Sequence, residues 1–380
     1  MRTGQISREG RMRIEADQVY FCGTHIVDLE APFEAYRKLA MDALDRVQLD
    51  LPEKGKILLK PNATVLYDAD KRIVTHPGFL GGILDALSER GVTSDRMVVA
   101  DGQSGERPDQ GFTWEGAGYL GTMDSRGVEL KCLNGEEKRS VPVPGGVVFD
   151  AYPLYKEVTD CGFLFNVPLA KCHNLGCTTL AMKNLMGILG RPERHLCTVQ
   201  EVDKPFESDL WRLTDSGLSL FEDRFYHKLC DVVHALRSLG IPQLCMVDGL
   251  VGRDGTAFNE GENAPLGWTL IGTNEVHVDA VGTYLMGLDP TTTPYLRFAT
   301  ERGLGSSRVG EINVVDLRSG NLMDLKELES KRSKKVLMPI SRYEEGYYDR
   351  FRADGSVVPW RIDEVNKQRI ADGLDPISVR

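Results

Sequence analysis

The chain has 380 residues, with 46 basic and 56 acidic side chains, a net charge of −10 and 41% apolar residues. This is globular composition, and the acidic balance offers no basic stripe of the kind a nucleic-acid partner requires. No run approaches the roughly 18 apolar residues of a membrane span. The charged start lacks a signal-peptide core, and eight scattered cysteines form no disulfide framework, so a cytoplasmic protein with no membrane partner is expected.

The elements alternate in kind along the chain. Ala31–Leu49 carries Phe33, Tyr36, Leu39, Ala40, Ala43, Leu44 and Val47 at helical spacing. Lys56–Lys60 reads as a buried strand. His76-Pro77 opens a helix with proline in its first turn, stopping at Gly91. Met97–Ala100 is the next strand, which completes a βαβ unit and implies a parallel sheet. The glycine-rich stretch 103–153 holds two hairpin strands and reads as an insertion or lid. The rhythm resumes with a strand at Gly162–Val167, helices at Thr178–Leu189 and Leu218–Leu239, and strands at Leu244–Val247 and Thr269–Gly272. A helix at Glu275–Met286 and a strand at Ile312–Asp316 follow.

The expected fold is therefore α/β and two-lobed: mainly parallel sheets flanked by helices, with a peripheral C-terminal extension. The lobes are 1–158 and 159–317. Residues 318–380 are charged and poor in glycine, an extension wrapped on the body. Its basic cluster, Lys331 to Lys335, is flanked by Glu327 and Glu329 and reads as a solvated face.

In this architecture ligands sit beyond the carboxyl ends of the strands, and polar residues gather there. Lys60 and Asn62 end one strand. Thr75 and His76 precede a helix N-terminus, where they serve either as an anion site or simply as caps. The segment Asn166–Gly190 brings Lys171, Cys172 and His173 to a strand end. It then places Lys183, Asn184 and Gly187 on one helical face. Lys183 is the sole charge in an apolar helix, which is costly to bury without an anion; the bland alternative is a snorkelling edge lysine. Gly187 would let a backbone or ligand approach that face.

Cys172, Cys177 and Cys197 raise a metal or thiolate role, with Cys177 expected just before a helix N-terminus. Their spacing matches no zinc or ferredoxin pattern, and buried packing is the commoner use. Asp248 opens a glycine-rich segment, 248–267, expected to be a long binding loop. With Asp101 and Asp279 it could hold a divalent metal. No Walker, zincin, nucleophile-elbow or iron–sulfur motif is present.

Taken together, Lys60-Pro61-Asn62, Thr75-His76-Pro77, the Lys171 to Gly187 block, Val247-Asp248-Gly249, Asp279-Ala280, Met286 to Pro290 and Gly303-Leu304-Gly305 resemble the family called domain of unknown function 362. The resemblance spans roughly residues 55–310. It implies an α/β fold and a loose association with metal or redox chemistry, some members carrying an appended ferredoxin-like iron–sulfur segment. That cysteine run is missing here.

The leading expectation is an enzyme acting on a small carboxylate- or phosphate-bearing metabolite in an inter-lobe cleft. Its reaction would be redox or isomerase/lyase-type proton chemistry. Lys60, Asn62, Thr75, His76 and Asn184 would line the site and Lys171 and Lys183 would bind the anion. His173, with a free pKa near neutrality, would be the general acid/base. The competing expectations are a metal or iron–sulfur redox protein using Cys172, Cys177 and Cys197, and a non-catalytic metabolite-binding module. The sequence leaves the oligomeric state open, a homodimer included.

Overall fold

A computed structural model describes residues 10–25, 28–63, 72–102, 112–173, 175–190, 214, 218–256 and 261–339, with short pieces between 342 and 376. Its centre is a ten-stranded sheet. The strands are β1 (Gln18–Gly23), β2 (Ile57–Pro61), β3 (Met97–Asp101), β4 (Glu129–Cys132), β5 (Phe163–Val167), β6 (Leu169–His173), β7 (Cys177–Thr179), β8 (Gln243–Arg253), β9 (Asn263–Gly272) and β10 (Asn313–Asp316). The order is β10-β1-β9-β8-β5-β2-β3-β4, with β6 paired to β8 and β7 to β6. Within the main run only β9 is antiparallel to its neighbours. The fold is mixed α/β with a mostly parallel central sheet flanked by helices.

Central strands such as β2 and β5 are buried along their whole length, as parallel strands covered on both faces must be. Alternation then divides the core. Leu58, Val98 and Leu164 pack on the face covered by α4 (Leu220–Ser238) and α5 (Glu275–Leu285). Ile57, Leu59, Val99, Phe163 and Phe165 pack on the face covered by α1 (Phe33–Leu44) and α2 (Pro77–Glu89). The last two helices approach closely because Gly82 has no side chain: a Cβ there would lie 2.8 Å from Ala40 Cβ and collide with Arg37 O.

Four expectations need correction. The division at 158/159 does not separate two lobes. β1 lies between β9 and β10, and β2 lies between β5 and β3, so both halves of the chain build the central sheet. The helix expected from Thr178 starts later: Cys177–Thr179 is a strand, followed by α3 (Ala181–Asn184) and a 3₁₀ turn at Leu185–Ile188. Tertiary contacts decide this, since the Thr178 hydroxyl meets those of Thr283 (3.1 Å) and Tyr295 (2.9 Å), and β-branched threonines suit a strand.

The glycine-rich 248–267 segment is largely a β-hairpin, Val251–Arg253 pairing with Pro265–Asn263; its tip, 257–260, lies outside the described residues. Gly249 and Gly252 serve as seats for the Trp268 ring and the Leu266 side chain, which a Cβ would strike. The stretch 103–153 does contain a hairpin, Lys138–Pro142 with Ala151–Tyr155, but it also supplies edge strand β4 to the main sheet. Residues 103–111 lie outside the described residues.

The extension packs on the body as far as it is described. Leu337 is fully buried, and its N–H bonds to Met286 O at 3.0 Å. Beyond residue 339 most of it is outside the described residues. No described helix is long and apolar enough to cross a membrane.

Candidate functional site

The carboxyl ends of β2, β3 and β5 carry an interlocked set of buried polar side chains. Lys60 Nζ pairs with Asp101 Oδ1 at 2.7 Å, with exposures of 1% and 0%, and donates to Pro61 O (2.8 Å) and Asn184 Oδ1 (3.2 Å). Asp101 Oδ2 accepts from the Ala63 N–H at 2.7 Å, pinning the chain where it leaves β2. Asn184 reaches in from α3. Its Oδ1 accepts from Lys60 Nζ and Asn62 Nδ2, while its Nδ2 donates to Lys60 O (3.2 Å) and Asn166 Oδ1 (2.8 Å). All four hydrogen-bonding positions of that amide are used inside the protein.

Gly187 explains how the helix face comes so near. A Cβ there would overlap Asp101 Oδ1 and sit 2.9 Å from Lys60 Nζ. The approaching group is therefore the Lys60–Asp101 pair itself.

Asp279 holds this helix from outside. Its carboxylate accepts from the N–H groups of Ala181 (2.6 Å) and Met182 (3.0 Å) and from Tyr295 OH (3.1 Å). Complete burial nonetheless pushes its pKa up to about 8.

A second group ties the 72–76 segment to the sheet. Thr75 Oγ1 donates to Val167 O (2.7 Å) and accepts from Asn62 N (2.9 Å). His76 caps α2, its Nδ1 accepting from Gly78 N at 3.0 Å. Its ring stacks on Tyr36 with centroids 3.8 Å apart, and the Arg72 guanidinium lies 5.1 Å from the Tyr36 centroid. Burial and then Arg72 lower the His76 pKa to about 3, so the ring is neutral with its proton on Nε2. The His76 N–H donates to Asp248 Oδ2 at 2.9 Å. Burial raises Asp248 to about 7, against that bond and the Arg72 charge.

The third group is cationic. In the β6–β8 register Lys171 stands opposite Arg253, and Lys171 Nζ donates to Ile73 O at 2.5 Å. Burial, then the charges of Lys183 and Arg253, lower Lys171 to about 7, with Asp101 opposing them. Lys183 is 8% exposed. Its ammonium meets a thioether, Met186 Sδ at 3.0 Å, and lies 5.8 Å from the Phe225 centroid. No carboxylate pairs with it among the described residues.

His173 Nδ1 accepts from the N–H groups of Leu175 (3.0 Å) and Gly176 (3.1 Å). Burial and the neighbouring Lys183 and Lys171 hold its pKa well below the usual range. The expectation of a near-neutral His173 is thereby corrected: buried among cations, it stays neutral and carries its proton on Nε2.

Among the described residues, the expected ligands do not come together as a metal or iron–sulfur site. Asp101 is committed to Lys60, Asp248 to the His76 N–H, and Asp279 to the α3 N-terminus. No group of three His, Cys, Asp or Glu among the described residues could hold a metal ion. Cys172 donates to Leu337 O at 3.1 Å, and burial pushes its thiol well up, away from the thiolate. Cys177 is buried in β7 at φ 63°, opposite His173, and not at a helix N-terminus. Cys197 lies outside the described residues.

Several participants are not singled out by sequence reasoning. Asn166 is the lone polar residue in the apolar run of β5, a signal that could have been used. Arg253 joins Lys171 only through strand register, Tyr119 OH donates to Thr75 O at 2.6 Å, and Arg72 and Tyr36 meet His76 through a stack. None of these leaves a mark in local sequence.

The family model described as "Domain of unknown function (DUF362)" matches residues 57–284. A curated relative, the "Thylakoid-associated protein sll1697" of Synechocystis, is 22% identical over 249 residues, 66% of this chain and 68% of its own length. Among solved structures, a Thermotoga maritima protein aligns with TM-score 0.37 and 12% identity, over 63% of this chain and 55% of that one. The lactate racemase apoprotein of Thermoanaerobacterium thermosaccharolyticum aligns with TM-score 0.41 and 10% identity, over 74% of this chain and 59% of that one.

Proposed function

Because the chain belongs to the domain of unknown function 362 family, whose name states no reaction, we propose a function from the site itself: an enzyme acting on a small carboxylate- or phosphate-bearing metabolite at the carboxyl edge of the sheet. The observation that carries this reading is the field at Lys171. Burial, then the charges of two further cations, Lys183 and Arg253, depress its pKa, and Asp101 opposes them. A buried site with excess positive charge is stabilised by an anion that enters it. Lys183, whose described partners are a thioether and a ring, is the residue with most to gain.

The roles follow from the chemistry. Lys183 and Arg253 bind the anionic group. Lys171, poised near pH 7, exchanges a proton with the ligand, which is the range where acid–base catalysis is most effective. His173 stays neutral and acts as a hydrogen-bond donor through Nε2. Lys60, Asn184 and Thr75 hold the strand ends and α3 in place and do not contact the ligand. Such a site suits isomerase- or lyase-type proton chemistry. A cytoplasmic setting fits this reading, as all seven described cysteines are free thiols.

The test has two stages. Calorimetry with malate, citrate and inorganic phosphate should detect saturable binding, and Lys183→Met should weaken it by at least about tenfold. Proton exchange of a bound acid is then followed by NMR in D₂O and should disappear in Lys171→Met. Absence of anion binding overturns the anion site; binding without exchange in the wild type overturns the enzyme and leaves a binding module.

A further inference from the structure

The side-chain amide of Asn62 is bonded through its nitrogen only. Its Nδ2 donates to Asn184 Oδ1 at 3.2 Å. The direction of this amide is dictated by Asn184, whose Nδ2 is engaged by Lys60 O and Asn166 Oδ1, so that its Oδ1 must face Asn62. Asn62 therefore turns its nitrogen toward the interlocked side chains and its oxygen away from them. The residue is 4% exposed, and its Oδ1 accepts no hydrogen bond. A buried amide oxygen without a donor is unfavourable, and a donor on a bound group would complete it.

The main chain of Asn62 links the residue to the cations. The short segment Ile73–Thr75 accepts from Lys171 Nζ through Ile73 O, and its Thr75 N–H donates to Asn62 O at 3.0 Å. Lys171 and Asn62 thus flank the same three residues.

We propose that the ligand of this site carries a hydroxyl group near its anionic group, and that Asn62 Oδ1 accepts the hydrogen bond from that hydroxyl. This rests on the anion-binding reading above. An ammonium donor would also satisfy the oxygen, but Lys60, Lys171, Lys183 and Arg253 would repel it. A neutral hydroxyl meets no such opposition. Asn62 is then a specificity-determining residue that selects hydroxylated anions over their deoxy counterparts.

Matched probes test this on the full chain. Malate is compared with succinate, and glycerol 3-phosphate with propyl phosphate, by calorimetry at one pH and ionic strength. The wild type should bind the hydroxylated member of at least one pair about tenfold or more tightly than its deoxy partner, the effect of one buried hydrogen bond. Asn62→Ala, with Asn62→Ser as a second variant should the first not fold, should bind both members alike. Equal binding of both members by the wild type overturns the proposal without any variant, and so does a preference that survives the Asn62 substitutions. If no anion binds at all, the anion reading itself fails, an outcome distinct from binding without discrimination.

Discussion

Two buried polar regions meet at the end of the sheet, and they differ in how completely the protein satisfies them. In one, Lys60, Asp101, Asn184, Asn166 and Thr75 form a closed set in which charge is paired and the Asn184 amide is fully bonded. In the other, Lys171, Lys183 and Arg253 gather like charge, and burial, then these neighbours, lower the affinity of Lys171 for a proton. The first region pairs opposite charges; the second brings like charges together. A lysine at a strand end is thus not evidence of binding by itself, and what separates Lys60 from Lys183 is the presence or absence of a carboxylate partner.

The sharpest way to break this comparison is to remove the charge that closes the first region. Asp101→Ala leaves the Lys60 ammonium buried and uncompensated and frees the Ala63 N–H. It should cost about 3–5 kcal/mol in urea denaturation. If Lys183→Met cost as much, the two regions would be of one kind. Lys183→Met should instead lie within about 1 kcal/mol of the wild type, because no ion pair is lost.

Gly187→Ala probes the same contact sterically. The added methyl strikes the ion pair, and a loss of about 1–3 kcal/mol is expected. Little change in the denaturation midpoint would mean that the helix face is looser than the geometry indicates.

The effect most diagnostic of the second region is one of pH. Lys171 titrates near 7 in the folded chain and near 10.5 in the unfolded chain. Between those values the unfolded chain binds the extra proton, so this group makes stability rise with pH. The contribution is fully present above about 10.5 and lost as pH falls through 7. Lys171→Met should flatten that part of the stability profile. An unchanged slope would show that Lys171 is already neutralised. Anion binding should run the opposite way, weakening as pH rises through 7, with proton uptake on binding at pH 8 measurable in buffers of different ionisation enthalpy.

Local chemistry made much of the fold legible. Fully apolar runs such as ILL and FLF mark buried parallel strands, and His76-Pro77 marks a helix start that the structure places at the same point. The expected ordering of elements from Phe33 to Asp316 holds almost throughout. What was misread depended on partners far along the chain. Thr178 is in a strand because Thr283 and Tyr295 receive its hydroxyl, and the 248–267 glycines are seats for Trp268 and Leu266 on the opposite strand.

The same division applies to the site. Lys60, Asn62, Thr75, His76, Lys171, His173, Lys183 and Asn184 could be singled out by position alone, because strand ends and helix starts are where the backbone delivers polar groups to one edge. Their roles could not. An imidazole pKa, a lysine left without a carboxylate and an aspartate capping a helix nearly a hundred residues away in sequence are set by burial and by neighbours that only the folded chain assembles. The sequence by itself determined the alternation of strands and helices and the residues brought to the sheet's edge. Tertiary structure decided that the sheet is one and that Asp101 and Asp279 serve the protein's own framework. It also decided that Lys171, Lys183 and Arg253 come within reach of one another's charge, because electrostatic neighbourhoods are three-dimensional and have no period in the chain.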